Sequence, residues 1–260
     1  MNGQVEKLSS INTERRPLQG VLNILDFNRH FYYIGVGSIF LVLIVSWVFS
    51  FPTNLAAVVG LLIIIGMLIP LLASAWVYDL ANYYQMKWLK RLFPNLNTGT
   101  VANIHAGFDE TSELIQKRFP EITLHALDFY DKENHTEPAI VRARKKTSKF
   151  AQTKQINTFD FGESSTKYNH IFVLSALHEI RDRNERILFL KACKSNLENK
   201  GNMVIVEHLR DLPNFLAFHI GFTHFFSDAE WKHCFKEAGL TILKEKKHTP
   251  LLHIYILSND

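Results

Sequence analysis

Two long apolar runs without a single charged residue stand near the start of the chain. They cover residues 31–51 and 55–78, and each exceeds the roughly 20 apolar residues that a helix needs to cross a bilayer. Only the three residues "PTN" separate them, so we predict an antiparallel transmembrane hairpin over residues 31–78, preceded by a polar segment at 1–30. Buried core helices are the alternative, but soluble helices are rarely apolar on every side at this length.

Positive charges flank the predicted hairpin on its two outer sides, and its turn has none. Arg16 and Arg29 precede the first run, and Lys87 and Arg91 follow the second. The positive-inside rule therefore predicts a multi-pass protein of the inner (cytoplasmic) membrane whose two termini lie in the cytoplasm, with the lipid bilayer as partner. The amphipathic segment 79–97 is predicted to form a linker helix at the membrane interface. The alternative is a plain first helix of the globular domain, and the two are compatible.

From residue 98 to residue 260, short apolar runs alternate with amphipathic segments. The apolar runs predict strands at 101–105, 122–128, 155–161, 170–177, 202–209, 241–248 and 251–258. The amphipathic segments predict helices at 110–119, 137–150, 184–200 and 227–240. This alternation is typical of a doubly wound, mostly parallel α/β sheet. The last two strands are too close in sequence for a crossover helix, so we predict that they pair antiparallel.

Composition and charge exclude some classes of function. The net charge is only +4 over 260 residues, and the basic residues are spread along the chain. Nucleic acid is therefore not an expected partner. Cys193 and Cys234 form no CxxC pair, which indicates buried free thiols in a reducing compartment.

The turn after the first predicted strand is a candidate binding element. It has the sequence "HAGFDETS", with Gly107 as its one glycine, and a helix follows. Ligands of doubly wound sheets bind at the carboxyl ends of the strands. Asp128 ends the second strand about 20 residues later, the spacing at which an acid meets ribose hydroxyls in such folds. The alternative for Asp128 is an ordinary turn residue at the end of a strand.

The fourth and fifth predicted strands each end in a pair of one histidine and one glutamate. These pairs are His178 with Glu179 and Glu207 with His208, and the predicted topology brings both to one crevice. A neutral histidine there could accept a proton from a substrate, with a carboxylate fixing its tautomer. The alternative is structural, with ion pairs such as Glu179 with Arg210 tying two loops together.

The same region contains the residue types that bind zinc or iron. The four paired residues are followed by His219 and His224. No HExxH spacing is present, however, and we assign no metal from the sequence.

Residues 98–258 resemble class I S-adenosyl-methionine-dependent methyltransferases. The stretch "LHALDFYD" and the antiparallel last strands match that family, whereas "ANIHAGFD" is a degenerate form of its glycine motif. The resemblance implies a class I methyltransferase-like, seven-stranded sheet that binds S-adenosyl-L-methionine, with Asp128 on the ribose. The cofactor-binding residues implied by it are Asn103, His105, Ala106, Gly107, Asp128, Phe129, Asp160, Phe161 and Ser175.

In the same family, the stretch after the fifth strand often builds the acceptor pocket, and here it is rich in aromatic residues. The substrate-binding residues implied are Asn214, Phe218, His219, Phe222 and His224. The resulting hypothesis is a membrane-anchored methyltransferase that acts on a hydrophobic, aryl or lipid-like acceptor at the cytoplasmic face. Its catalytic residues would be His178, Glu179, Glu207 and His208, with His178 or His208 as general base. The alternatives are a catalytically silent scaffold and a metal-dependent hydrolase or lyase; a homo-oligomer is compatible with each.

Overall fold

The computed structural model describes residues 16–134, 138–145, 150–159, 161 and 166–259. Its helical part comes first: α1 (Gln19–Phe27), α2 (Arg29–Val48) and α3 (Thr53–Ser74), which continues as a π-helix, Ala75–Leu80. By length and composition, α2 and the helix Thr53–Leu80 could each cross a membrane. Few of their residues are buried, which is unexpected for core helices.

The rest of the described chain forms one seven-stranded sheet with helices on both faces. The strands are β1 (Thr100–His105), β2 (Thr123–Asp128), β3 (Lys154–Gln155), β4 (Tyr168–Leu174), β5 (Leu197–His208), β6 (Thr241–Thr249) and β7 (Leu252–Ser258). The helices are α4 (Lys87–Leu92), α5 (Ser112–Arg118), α6 (Pro138–Arg144), α7 (Arg183–Ser195), α8 (Leu212–Phe218) and α9 (Asp228–Glu237). The strand order is β3-β2-β1-β4-β5-β7-β6.

Strand direction follows the prediction. The first five strands pair in parallel, and β7 pairs antiparallel with both β5 and β6. The carboxyl ends of β1, β2, β4 and β5 therefore lie at one edge of the sheet, which we call the carboxyl edge. The strand β6 is outermost on its side, and it exposes Lys244, Lys246 and Lys247.

The sheet is buried on both faces, which explains why its central strands are continuous apolar runs. One face packs against α7 and α9 through Phe189 and Trp231. The other face packs against α5 and the segment around α4, through Ile115, Trp88 and Leu89.

The predicted third strand is wrong for most of its length, because only Lys154 and Gln155 pair with β2. Side-chain hydrogen bonds direct the following residues elsewhere. The Asn157 side chain accepts from the Phe159 amide, and the Thr158 hydroxyl donates to Glu185. Such local bonds compete with strand pairing.

The predicted helix 184–200 ends earlier, at Ser195. The Asn196 side chain donates to the carbonyls of Phe161 and Ala192, and the chain then enters β5 at Leu197. The helix predicted at 137–150 is described only over Pro138–Arg144.

The predicted linker helix is also interrupted. Asn82 and Met86 have φ values of 61° and 52°, a left-handed conformation that ends a helix, and only α4 is α-helical after them. Tyr83, Met86 and Trp88 are buried, so the structure packs this segment on the sheet. This is the arrangement expected of a first helix of the globular domain.

Candidate active site

The glycine turn follows β1 at the carboxyl edge. Gly107 has a φ of +84°, which L-residues with a side chain rarely adopt, and its amide donates to His105 Nδ1 at 3.2 Å. Asp109 Oδ1 accepts from the amides of Thr111 and Ser112 at 3.0 and 2.9 Å, which starts α5. A single glycine is therefore sufficient for this turn, because Asp109 stabilises the backbone that follows.

Asn103 stabilises the backbone beneath this turn. Its side chain is buried, and its Nδ2 donates to the hydroxyls of Thr111 and Ser112 at 2.9 and 2.8 Å. These bonds fasten β1 to the start of α5, so the structure gives Asn103 a structural role.

Asp128 lies next to the glycine turn, as predicted. It is fully buried at the end of β2, and His105 Nδ1 is 3.8 Å from its Oδ1. Oδ1 also accepts from the Tyr130 amide at 3.0 Å. The structure thus brings His105, Gly107 and Asp128 together at one point of the carboxyl edge.

Arg144 is the residue at this point that the sequence analysis missed. Its Nη1 donates to Asp128 Oδ2 at 3.0 Å, and its guanidinium lies 3.9 Å from the centre of the Tyr130 ring. A Cβ on Gly107 would collide with the same guanidinium. Arg144 therefore fills the position between Gly107 and Asp128 where the sequence predicted a ligand. The basic run "RARKK" was the signal that could have suggested such an ion pair.

The other predicted cofactor residues lie around this point in different ways. Phe129 and Phe161 are core residues, whose rings lie 5.6 and 5.8 Å from Phe189 and are buried. Ala106 is buried in the turn. Ser175 follows β4 with a φ of +54°, and its amide donates to the Val206 carbonyl at 2.7 Å. Asp160 lies outside the described residues.

The ends of β4 and β5 bring His178 and Glu207 together. His178 Nδ1 is 2.6 Å from Glu207 Oε2, and the His178 amide donates to Oε1 at 3.2 Å. Glu207 is fully buried. Burial by itself would lower the pKa of His178, but Glu207 and Glu179 outweigh burial and raise that pKa to about 10. The raised pKa favours the protonated form of His178 in this arrangement.

Glu179 lies between two imidazoles. Its Oε1 is 3.5 Å from His178 Nε2 and 3.6 Å from His224 Nε2. Burial opposes the charged carboxylate, but its contacts with these two histidines lower the pKa of Glu179 to about 2. Arg210, which the structural alternative paired with Glu179, donates to the carbonyls of Thr223 and Phe225.

The structure does not support His208 as a general base. Its Nδ1 is 2.8 Å from the Leu251 carbonyl and 3.0 Å from Asn214 Oδ1, which makes this nitrogen the donor. Its Nε2 is 2.7 Å from the hydroxyl of Tyr78, which lies in the π-helix that continues α3. Burial lowers the pKa of His208 to about 4, and both ring nitrogens are engaged. This histidine therefore joins the helical hairpin to β5.

Among the predicted substrate residues, only His224 reaches the cluster at the strand ends. Asn214 is buried and orients His208. Phe218 packs against His208 at 5.2 Å, and Phe222 packs against Phe215 at 5.1 Å. His219 Nε2 is 3.1 Å from the Gly66 carbonyl of α3, so it contacts the hairpin.

Comparison with known proteins supports the fold. No protein-family model and no curated protein sequence matches the chain. CalO1, a methyltransferase in calicheamicin biosynthesis solved with SAH bound, is similar at 15% identity and a TM-score of 0.52. The match covers 94% of this chain and 73% of CalO1. A likeness at this level shows the class I methyltransferase fold, which the strand order and the antiparallel last strands also define.

Two further solved structures are similar at lower TM-scores. An S-adenosylmethionine-dependent methyltransferase from Clostridium acetobutylicum ATCC 824 has 10% identity and a TM-score of 0.49, over 70% of this chain and 92% of that one. Human N-acetylserotonin methyltransferase in complex with SAM has 11% identity and a TM-score of 0.48, over 74% of this chain and 55% of that one. The chain thus matches about half the length of the human enzyme.

Proposed function

We propose that this protein is a membrane-anchored S-adenosyl-L-methionine-dependent methyltransferase that acts on a hydrophobic, aryl or lipid-like acceptor. One observation carries the proposal. Gly107 and a buried carboxylate, Asp128, lie side by side at the carboxyl edge of a sheet with class I methyltransferase topology. The similar structures named above are methyltransferases, which favours the same reaction here.

Gly107 and Asp128 fit the methyl donor, S-adenosyl-L-methionine, if the Arg144 side chain moves away from them. The left-handed backbone at Gly107 allows a ligand to approach closely, and Asp128 offers a carboxylate for two ribose hydroxyls. Arg144 occupies both contacts, so it has to leave Asp128 Oδ2 before a ribose can bind there. When bound, the donor supplies an activated methyl group, and the contribution of the chain is chiefly to position the two reactants.

The acceptor side would be formed by the ends of β4 and β5. Glu207 orients the His178 ring through Nδ1, and the His178 Nε2 side lies towards Glu179 and His224. In this proposal the His178 ring faces the acceptor, and the aromatic segment after β5 contributes apolar contacts through Phe225.

Membrane attachment supports an apolar acceptor. Besides the hairpin, α8 and the following turn expose Leu212, Leu216 and Ile220 at 67%, 59% and 76%. This patch adjoins the hairpin, because His219 contacts Gly66 of α3. A contiguous apolar surface of this kind favours contact with the bilayer, from which a hydrophobic acceptor could be taken.

The test is calorimetric titration of the full chain in detergent with S-adenosylmethionine and with its demethylated product. We expect Asp128→Asn to weaken binding at least about tenfold, because a hydrogen bond to a charged group contributes roughly 1.5–3 kcal/mol. Asp131→Asn is the matched control, because Asp131 caps the neighbouring exposed turn. Equal affinity in the two variants would reject the assignment of Asp128.

A second candidate function is a catalytically silent methyltransferase-like scaffold. The ion pair between Arg144 and Asp128 favours it, since this pair fills the donor position. If neither the natural chain nor Arg144→Ala binds the donor or its product, the scaffold is the better description.

A further inference from the structure

Three potential metal ligands converge at the carboxyl edge. They are His178 Nε2, a carboxylate oxygen of Glu179 and His224 Nε2, and these atoms all lie within 4.8 Å of one another. The Glu179 oxygen is 3.5 Å from one imidazole nitrogen and 3.6 Å from the other. Two ligands of a tetrahedral zinc ion lie roughly 3.4 Å apart, as follows from bond lengths of about 2.1 Å. Two of the three ligand distances are therefore close to those of a zinc site, and the third is within 4.8 Å.

Glu207 lies behind the cluster, and a carboxylate in this position is a usual feature of metal sites. A histidine that binds a metal through one nitrogen usually donates the other N–H to a carboxylate, which fixes the ring. His178 has this arrangement, because its Nδ1 lies 2.6 Å from the fully buried Glu207 while its Nε2 is on the side of Glu179.

Two buried carboxylates lie beside the two imidazoles. They are Glu179 and Glu207. Buried charge is costly unless it is compensated. One divalent cation would compensate it, and so would one proton on each imidazole; a metal titration distinguishes the two.

The backbone under the ligands is held in place. The Arg181 guanidinium donates to the carbonyls of both His178 and His224, at 3.1 and 2.6 Å. The two histidines come from separate 3-10 helices, Leu177–Glu179 and His219–His224, and this one side chain sets the distance between them.

The described residues contain a second cluster of potential metal ligands, and a nearby lysine makes that cluster a poor metal site. Asp228, Glu245 and His253 also lie close together, but Lys232 contacts both carboxylates at 2.7 and 2.9 Å. A lysine ammonium already compensates that group. In the first cluster, the carboxylates face imidazoles.

We propose that His178, Glu179 and His224 form a zinc site, with Glu207 as the positioning residue of His178. This departs from the sequence analysis, which assigned no metal, because the ligands come from two separate 3-10 helices and no sequence spacing reveals them. Three protein ligands leave a fourth coordination position for water. If the proposed methyltransferase function also holds, an acceptor oxygen could take that position and lose its proton more easily there.

The test is a zinc titration of the untagged full chain in detergent against a chromophoric chelator, with metal analysis of the dialysed protein. We expect one equivalent of zinc per chain. His224→Ala and Glu179→Gln should each weaken binding at least about tenfold, and Glu207→Gln should weaken it about 10- to 100-fold. The matched control is His233→Ala, which removes an exposed histidine of α9 and should leave the affinity unchanged.

Circular dichroism of each variant verifies folding, and His224 is the safest substitution because its side chain is 24% exposed. The cobalt(II) form provides an independent readout, since ligation by two imidazoles and a carboxylate gives a tetrahedral visible spectrum that His224→Ala should abolish. Absence of stoichiometric zinc, or equal affinity in His224→Ala and His233→Ala, would overturn the proposal. No methyl donor is used, so either result leaves the donor-binding test independent.

Discussion

At the scale of single residues, Arg144 determines whether the carboxyl edge is open to a ligand. It donates to Asp128 and lies against Gly107, and both of these residues are needed by a donor in the proposed function. The residue thus competes with the ligand for one carboxylate.

The expected consequence is that Arg144→Ala binds S-adenosylmethionine more tightly than the natural chain. A bound donor no longer has to replace a charge-assisted hydrogen bond, which contributes roughly 1.5–3 kcal/mol, so we expect a gain of about tenfold. Calorimetry on the detergent-solubilised chain measures it. Arg142→Ala is the control on the same helix, because Arg142 donates to the Phe27 carbonyl. Weaker binding in Arg144→Ala would show that Arg144 is itself a ligand contact.

Residue by residue, the sequence predicted best where strand ends determine position. Gly107, Asp128, His178 and Glu207 each lie at or shortly after the carboxyl end of a central strand, and parallel pairing brings such ends to one edge. Arg144 was missed because its position depends on tertiary contacts of α6, which no periodicity encodes. The same reason applies to His208, whose partner Tyr78 is 130 residues away.

At the scale of elements, one contact joins the hairpin to the sheet. Tyr78 lies in the π-helix that continues α3, and its hydroxyl meets His208 Nε2 at the end of β5. Two acceptors, Asn214 and the Leu251 carbonyl, hold the proton on Nδ1, so the imidazole is neutral.

This contact predicts a loss of stability in acid. The pKa of His208 is about 4 in the folded chain and about 6.5 when unfolded, so its contribution is complete above pH 6.5 and is lost as the pH falls towards 4. The contribution is roughly 3 kcal/mol at most. Melting temperatures at pH 7 and pH 4.5 should differ less for His208→Gln than for the natural chain.

His233→Gln should behave like the natural chain, because His233 is exposed. His178 and Asp211 also influence the pKa of His208, and they are present in all three proteins. An identical acid shift in His208→Gln and in the natural chain would contradict the assignment.

Element boundaries were predicted less well than element types, for local reasons. The third strand is short because Asn157 and Thr158 bond locally, and the linker helix is interrupted at two left-handed residues, Asn82 and Met86. The pattern of apolar residues predicts neither the short strand nor the interrupted helix, since both depend on side-chain hydrogen bonds and backbone conformation.

At the scale of the whole molecule, the proposal places the hairpin across the membrane and the sheet on the cytoplasmic side. The chain suits cysteine labelling, because Cys193 and Cys234 are both buried and burial raises the pKa of their thiols. We expect Thr53→Cys, in the hairpin turn, to react with a membrane-impermeant maleimide in intact cells. Lys236→Cys, exposed on α9, should react only after permeabilisation.

Each variant serves as the control for the other, and the natural chain gives the background labelling of Cys193 and Cys234. Equal labelling of both positions before permeabilisation would mean that the turn and the sheet lie on the same side. The hairpin would then not cross the bilayer in the proposed way.

The lysines of β6 have a consequence for how copies of the chain share a membrane. If the proposed anchoring holds, copies of the chain diffuse in two dimensions and collide more frequently than proteins in solution. An outer strand without charged side chains could then pair with the outer strand of another copy. Lys244, Lys246 and Lys247 place like charges along that border. These charges should oppose the pairing of two copies along β6.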